Sequence, residues 1–463
     1  MRGLNNICFL TDSYKASHYK QYPPGSQFVY SYFESRKGGV FPEVVFFGLQ
    51  YWLQEYLSGP VVTREKIDEA EALFRDHFSG CQLFNRPGWE TILHRHGGRL
   101  PIRIKAAPEG TVVPESNVLI TVENTDPEAY WLTNWLETLL VQTWYPCTVA
   151  TQSRAMKKEI LAALKHTGDP SLISFKLHDF GFRGVTCPEQ AALGAAAHLV
   201  NFQGTDTVPG LVLARSVYQA SMAGFSIPAA EHSTITSWGE HHEIDAMRNM
   251  LAQYPTGLVA CVSDSFDIFR ACSEYWGSML KEQVLARDGV LVVRPDSGDP
   301  PLIVVKVLEL LGQAFGITTN AKGFKLLHPK VRVIQGDGID FSMLGKILEA
   351  MTQAGWSADN VAFGSGGGLL QKLNRDTQKF AFKCSSIVVN GQERDVYKQP
   401  VTDQGKKSKS GRFQLIRQEN GVIATVPQGG PGKDLLVDVF ENGRMLRSWT
   451  FDEIRDRARI EEE

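Results

Sequence analysis

The stretch Val331-Arg332-Val333-Ile334-Gln335-Gly336-Asp337-Gly338 decides the fold. A short run dominated by β-branched apolar residues reads as a buried strand, and the Gln-Gly-Asp-Gly after it reads as a loop carrying a carboxylate between glycines. The same arrangement recurs on both sides. Apolar runs at 258–262, 290–293 and 360–363, another at 172–177 and a weaker one near Ser226 lead into polar loops. Those loops include Ser263-Asp264, Arg294-Pro295-Asp296, Gly364 through Gly368, and His178-Asp179. Segments of helical spacing separate the runs, with capping-box spacing at Thr186 and Glu189 around Pro188 and again at Ser237 and Glu240. This alternation predicts an α/β fold, an irregular β/α barrel whose working residues sit at the carboxyl ends of parallel strands. An open doubly wound sheet shares the alternation and is the second candidate.

Outside this region the texture changes. The spacing predicts a strand over 28–33, helices over 44–57 and 63–78, strands over 102–106 and 117–122, and helices over 130–144 and 153–165. After residue 380 the pairs Asn390-Gly391, Asn420-Gly421 and Asn442-Gly443 separate strand-like runs, as type I′ hairpin turns prefer. The organisation expected is an N-terminal α+β domain over 1–150, a barrel catalytic domain over 151–380, and a hairpin-rich segment over 381–463 that packs with the N-terminal domain.

A chain of 463 residues has room for two or three domains. Its 48 basic and 51 acidic residues lack the one-sided charge of a nucleic-acid or anionic-membrane binder, so neither partner is expected. The seven cysteines form no Cys-x-x-Cys pair and read as reduced, mostly buried thiols of a cytoplasmic protein. Asp12, Lys15 and Lys20 lie among aromatics near the start, unlike an export signal, and no apolar stretch has membrane-spanning length.

Gly364-Ser365-Gly366-Gly367-Gly368 before Leu369-Leu370-Gln371-Lys372-Leu373 predicts bare backbone N–H groups at a helix start, a phosphate cradle that Arg375 farther along that helix would reach. The bland alternative is a tight turn needing positive φ. Asp296 and Asp337 offer acceptors for sugar hydroxyls, and Arg294 a fork for phosphate; as plain structure the two aspartates would cap the following helices. Glu231-His232 and His178-Asp179 place imidazoles beside carboxylates, although a lone histidine is more often structural. His241-His242 reads as solvated, and no metal-ligand constellation stands out. Lys398, Lys406, Lys407, Lys409 and Arg412 form either a solvated basic face or a pyrophosphate grip.

Seven segments in order make the chain resemble the nicotinamide phosphoribosyltransferase family from end to end. They are Asp12-Ser13-Tyr14-Lys15, His178 through Gly184, Gly204-Thr205-Asp206-Thr207, Ala229 through Thr234, Arg294 through Gly298, Gly336 through Gly338, and Gly364 through Asp376. The resemblance implies a type II phosphoribosyltransferase fold and a homodimer with active sites shared between subunits. It implies transfer of ribose 5-phosphate from phosphoribosyl pyrophosphate to nicotinamide, with Mg²⁺, and with ATP as a coupled co-substrate that phosphorylates His232. Tyr14 of the partner and Phe180 would sandwich the pyridine, Asp206 would accept from the carboxamide, and Ser226 would join the substrate contacts. Arg183, His232 and Arg294 go to pyrophosphate and ribose, Asp296, Gly336 and Asp337 to ribose, and Gly366, Gly367 and Arg375 to the 5-phosphate. Arg36, Lys383, Lys398 and Lys406 would reach phosphates across the dimer. The catalytic set implied is His232, Asp206, Arg294 and Asp296. Phe182 stands where relatives often carry Tyr. Three other readings compete: a nicotinate phosphoribosyltransferase, a barrel aldolase or isomerase acting on sugar phosphates, and a non-catalytic interaction protein on the same fold.

Overall fold

The computed structural model describes residues 5–402 and 407–460. The chain divides into two compact units, one formed from the described parts of Met1–Thr151, Ser216–Ala220 and Asn374–Arg459, the other from Gln152–Arg215 and Ser221–Leu373.

The first unit is built on an antiparallel seven-stranded sheet. In spatial order its strands are Gln392–Asp395, Phe380–Val389, Ser26–Ser35, Val118–Asn124, Ile102–Ala106, Val437–Glu441 and Arg444–Met445. Ser26–Ser35 is buried along nearly its whole length, and Phe33 stacks on Phe380 with ring centroids 5.0 Å apart. Asn390-Gly391 and Asn442-Gly443 take positive φ at both residues, the type I′ geometry that lets adjacent strands keep their twist. Between Phe413–Arg417 and Ile423–Pro427 only Gly421 does so, and the loop is longer than a two-residue turn. The unit resumes at Asn374 rather than 381, because Thr377, Gln378 and Lys379 already bond the 35–41 segment: Arg36 and Val40 donate to backbone carbonyls, and Phe41 N–H donates to the Gln378 amide oxygen.

Two helices expected here are broken. Residues 44–57 begin as the strand Glu43–Val45 paired with Val112–Pro114, and helix starts only at Leu49. Gly48, at φ 100°, separates the two, and a Cβ there would lie 2.4 Å from Pro146. Residues 130–144 form the short turns Leu132–Trp135 and Glu137–Leu140 before the 24-residue helix Trp144–Thr167.

The second unit is a parallel barrel. Its sheet runs Gly204–Thr205, Leu177–Asp179, Val361–Ser365, Val331–Gln335, Asp288–Arg294, Thr256–Val262. The weak segment near Ser226 closes the ring: Phe225 bridges Gly204 and Ala229 bridges Ala260, both in parallel sense. Ala260, Val292 and Ile334, on three neighbouring strands, form an interior layer, with Phe180, Ile227 and Ala362 packed against it. Helices follow strand ends or the closing segment, the longer of them at Pro188–Leu199, Val208–Tyr218, Glu243–Gln253, Pro300–Phe315 and Phe341–Gln353. Polar loops therefore gather at the carboxyl ends of the strands.

Local corrections concern edges. Residues 170–175 wind as a 3₁₀ helix, since Asp169 accepts from Ser171 N–H and Pro170 fits the first turn; the strand begins at Leu177. The first capping box is absent: Cys187 occupies the cap position, and Thr186 donates from its amide and hydroxyl to Gln190. Ser237 ends the helix His232–Thr236 instead of starting one, and Gly239, at φ 87°, follows it. Among the described residues no helix is long and apolar enough to cross a membrane.

Candidate active site

At the carboxyl ends of the barrel strands opens a cavity of about 820 Å³, lined by Phe180, Phe182, Arg183, Asp206, Thr207, Glu231, His232, Ser233, Arg294, Asp296, Gly336, Asp337 and Gly366. Each arrives from a strand end. The Leu177–Asp179 strand delivers Phe180 and Arg183. Asp179 itself is fully buried and structural: it accepts from Gly181 N–H at 2.7 Å and from the Thr205 hydroxyl at 2.9 Å, which locks the first loop onto the neighbouring strand.

Asp206 follows the two-residue strand Gly204–Thr205. Its Oδ1 accepts from His178 Nε2 at 3.0 Å and from the Ser226 hydroxyl. Burial opposes its ionised form, but those two hydrogen bonds with the charges of His178 and Arg294 outweigh burial and hold the carboxyl below the usual range. It is an ionised carboxylate at the cavity wall, half exposed. Ser226, expected among the substrate contacts, donates its hydroxyl to Asp206.

His232 sits between two carboxylates. Its Nε2 lies 3.1 Å from Oδ1 of Asp264, whose side chain is buried, and its Nδ1 3.9 Å from Oδ2 of Asp296. Asp264 also accepts from the Asp296 amide at 3.0 Å and the Ser297 hydroxyl at 2.5 Å, so one carboxylate fixes both His232 and the loop after Arg294. Asp264 was visible in the sequence only as a polar strand end; the signal available was its place directly after the 258–262 run. Burial, with the nearby Asp264 and Asp337, raises the Asp296 carboxyl above its ordinary range against the pull of Arg294 and His232. The Arg294 guanidinium lies 3.7 Å from Asp296, and its buried Nε has no partner among the described residues. Arg183 is 88% exposed, 3.9 Å from Glu231. Neither Asp296 nor Asp337 caps a helix. Those positions belong to Asp299 and to Asp340, which accepts from Met343 N–H.

The glycine loop is not a positive-φ turn, since none of Gly364, Gly366, Gly367 and Gly368 has positive φ. Two of its glycines are required for close approach: a Cβ on Gly364 would lie 1.9 Å from the Phe180 ring, and one on Gly368 2.3 Å from the Ile339 carbonyl. Gly366 and Gly367 have open space instead, with nothing nearer than 3.6 Å. The following helix is a single turn, Gly367–Leu370. Arg375 is therefore not on it and belongs to the other unit. There Arg36, Arg375 and Lys398 stand within electrostatic reach of Lys383, whose ammonium is pushed below its ordinary range chiefly by burial. Tyr14, 59% exposed, lies in the same unit, and Lys406 falls outside the described residues. The remaining cations of that region divide: Lys407 is exposed, whereas Lys409 pairs with the buried Glu34 and Arg412 bridges Glu123 and Glu393, which makes the latter two structural.

Residues 175–444 match the profile of the nicotinate phosphoribosyltransferase family. The chain belongs to that family. Residues 6–104 match the N-terminal domain of nicotinamide phosphoribosyltransferase. This phosphoribosyltransferase is 53% identical to the nicotinamide phosphoribosyltransferase of Xanthomonas campestris over 99% of each chain. It is 34% identical to that of Acinetobacter baylyi over 96% of its own length and 95% of the relative's. Its fold is that of the nicotinate-nucleotide pyrophosphorylase of Pyrococcus furiosus, at TM-score 0.62 and 17% identity over 98% of this chain and 95% of that one. Human nicotinic acid phosphoribosyltransferase follows at TM-score 0.55 and 16% identity over 97% and 93%. The phosphoribosyltransferase thus has the type II α/β architecture of its family, with the cavity at its strand ends.

Proposed function

We propose that the chain is a nicotinamide phosphoribosyltransferase that forms nicotinamide mononucleotide and pyrophosphate from nicotinamide and phosphoribosyl pyrophosphate, in salvage of NAD. Full-length similarity to relatives of that name supports the reading. The observation that carries it is the ionised Asp206 at the wall of the cavity. An amide N–H₂ donates to such a group. Nicotinate would set a second carboxylate against it, and two like charges about 4 Å apart repel by roughly 4 kcal/mol at an effective dielectric of 20.

The bond from the anomeric carbon to pyrophosphate breaks, leaving an oxocarbenium-like ribose, and the pyridine nitrogen's lone pair forms the new bond. That nitrogen carries no proton, so no general base is needed. Arg183 and Arg294 stabilise the charge growing on pyrophosphate. Phe180 gives the ring a face to stack on, and positioning supplies much of the remaining rate. The open faces of Gly366 and Gly367 leave room for the 5-phosphate to approach the loop. Asp296 and Asp337 fit what Mg²⁺ uses beside substrate phosphates, one or two carboxylates, so the ion would enter with phosphoribosyl pyrophosphate and offset its charge. No group of three or more candidate ligands gathers among the described residues.

His232, held by Asp264 and exposed over nearly half its surface, is the group that ATP would phosphorylate. In the proposed homodimer Tyr14 of one subunit closes on the pyridine held by the other, and Arg36, Lys383, Lys398 and Lys406 meet phosphates there. Seven free cysteines suit a reducing cytoplasm. A barrel aldolase is disfavoured because no lysine lines the cavity among the described residues.

The test is formation of nicotinamide mononucleotide from nicotinamide, phosphoribosyl pyrophosphate and Mg²⁺, with and without ATP, repeated with nicotinate. Turnover of nicotinamide far above nicotinate is expected. Equal or reversed preference sinks the reading of Asp206, and no turnover of either base sinks the enzyme assignment.

A further inference from the structure

The carboxylate that reads the base does not stand alone. Its Oδ1 is filled twice, by His178 Nε2 at 3.0 Å and by the Ser226 hydroxyl, whereas Oδ2 makes no hydrogen bond among the described residues. An ionised carboxylate only accepts, so the hydrogen of His178 must be on Nε2. His178 is in turn held from behind. Its strand pairs in register with Gly204, and a Cβ on Gly204 would lie 2.6 Å from His178 Nδ1. Glycine at 204 is what allows the imidazole to turn its other nitrogen to Asp206. Two residues along the same strand face, Phe180 packs beside it with ring centroids 5.0 Å apart.

We infer that His178 is a positioning residue for base selectivity: together with Ser226 it saturates one oxygen of Asp206 and fixes the carboxylate plane, so that a single oriented acceptor remains for the amide. This rests on the proposed role of Asp206 and deepens it. A carboxylate free to rotate would still attract an amide, but it would swing away from, or take a proton to accommodate, the carboxylate of nicotinate. Discrimination against the acid requires an acceptor that is both ionised and unable to turn. Ring stacking on Phe180 is common to both bases and cancels in their ratio, which separates the hydrogen-bond role from any disturbance of the stack.

The experiment measures kcat and KM for nicotinamide and nicotinate at saturating phosphoribosyl pyrophosphate and Mg²⁺, in the full-length protein and in H178L, H178Q, G204A, S226A and D206N. Gln at 178 keeps an N–H donor near the position of Nε2; Leu does not. H178L is expected to lower the nicotinamide-to-nicotinate ratio of kcat/KM about tenfold or more, mainly through a lower KM for nicotinate. H178Q should recover most of the ratio, and S226A and G204A should each lose part of it. Should H178L not fold, the exposed S226A and the ring-displacing G204A carry the test. A wild-type ratio in H178L, or in both S226A and G204A, alongside a collapsed ratio in D206N overturns the role of His178 alone. Equal losses for both bases in H178L also overturn it, since that marks a structural role. An unchanged ratio in D206N overturns the reading of Asp206 on which it stands.

Discussion

Replacing Gly364, itself no proposed ligand contact, by alanine should damage the site through Phe180. Gly364 does not have positive φ, so the backbone itself accepts alanine, and such a change ordinarily stabilises by about 0.4–1 kcal/mol through the unfolded chain. Here the new methyl would lie 1.9 Å from Cε2 and 2.5 Å from Cδ2 of Phe180, where ordinary contact begins at 3.4 Å. The ring must recede by about 1.5 Å. It has little room, because it packs against the interior layer of Ala260, Val292 and Ile334 and beside His178, with ring centroids 5.0 Å apart. Overpacking of this kind costs about 1–3 kcal/mol, enough to reverse the expected sign and lower Tm by several degrees. Displacing the ring proposed to stack on the base by more than 1 Å should reduce kcat/KM for nicotinamide about 100-fold. The matched control is Gly367→Ala, which meets nothing within 4 Å: its Tm should hold or rise, while KM for phosphoribosyl pyrophosphate increases because the methyl stands where the phosphate would approach. Thermal melts and steady-state kinetics on both variants decide the matter. A Gly364→Ala protein with wild-type Tm and kcat/KM would refute the packing argument.

Two further outcomes test the framework. The Glu243 carboxyl is raised from its ordinary 4.5 to about 7, first by burial and then by Asp264, Asp267 and Glu240 against the pull of Arg270, and its buried Oε1 has no partner among the described residues. The folded state therefore holds the proton more tightly than the unfolded chain, and stability falls as pH rises from about 4.5 to about 7 and levels off beyond. The Tm advantage of Glu243→Gln over wild type should grow across that window, and an advantage equal at pH 5 and pH 8 refutes it. Glu109, fully buried, accepts from Gly48 N–H at 2.9 Å, Gln50 N–H at 2.6 Å and the Tyr218 hydroxyl at 2.9 Å. Glu109→Ala strands three buried donors and should cost about 3 kcal/mol or more in urea unfolding, whereas Tyr218→Phe should cost about 1 kcal/mol; similar losses for the two would refute the assignment.

Five of the barrel strands were legible because each is a compact apolar run ended by an abrupt polar loop, and only the first of these shifted, where Asp169 and Pro170 impose a 3₁₀ turn before Leu177; the sixth, Gly204–Thr205, has two residues and no apolar run to announce it. Arg294, Asp296, Gly336, Asp337 and Gly366 were legible for the same reason, as each lies within a few residues of such an end, whereas Phe180, Arg183 and Asp206 were expected from the family resemblance alone. What stayed hidden depends on partners distant in sequence. Nothing local shows that Ser226 turns to Asp206, twenty positions away, or that Asp264 rather than Asp296 takes the closer bond to His232. Arg375 was misplaced because Leu369-Leu370-Gln371-Lys372-Leu373 has helical composition, yet the helix stops after one turn and the chain enters the other unit at Asn374. The helix over 44–57 failed on a single glycine whose left-handed backbone periodicity does not register.

The seam of the barrel carries one more implication. Six strands are tied by continuous ladders, but the 225–229 segment is stitched in by four backbone hydrogen bonds, to Gln203 and Thr205 on one side and twice to Ala260 on the other. Local opening begins where such ties are fewest. Amides of Thr205, Phe225, Ala230 and Ala260 should thus exchange with solvent sooner than those of Val292 or Val333, and a ligand that tightens Asp206 and Ser226 would slow that exchange from inside the ring. Asp206 and Ser226 thus lie on the staves most easily sprung.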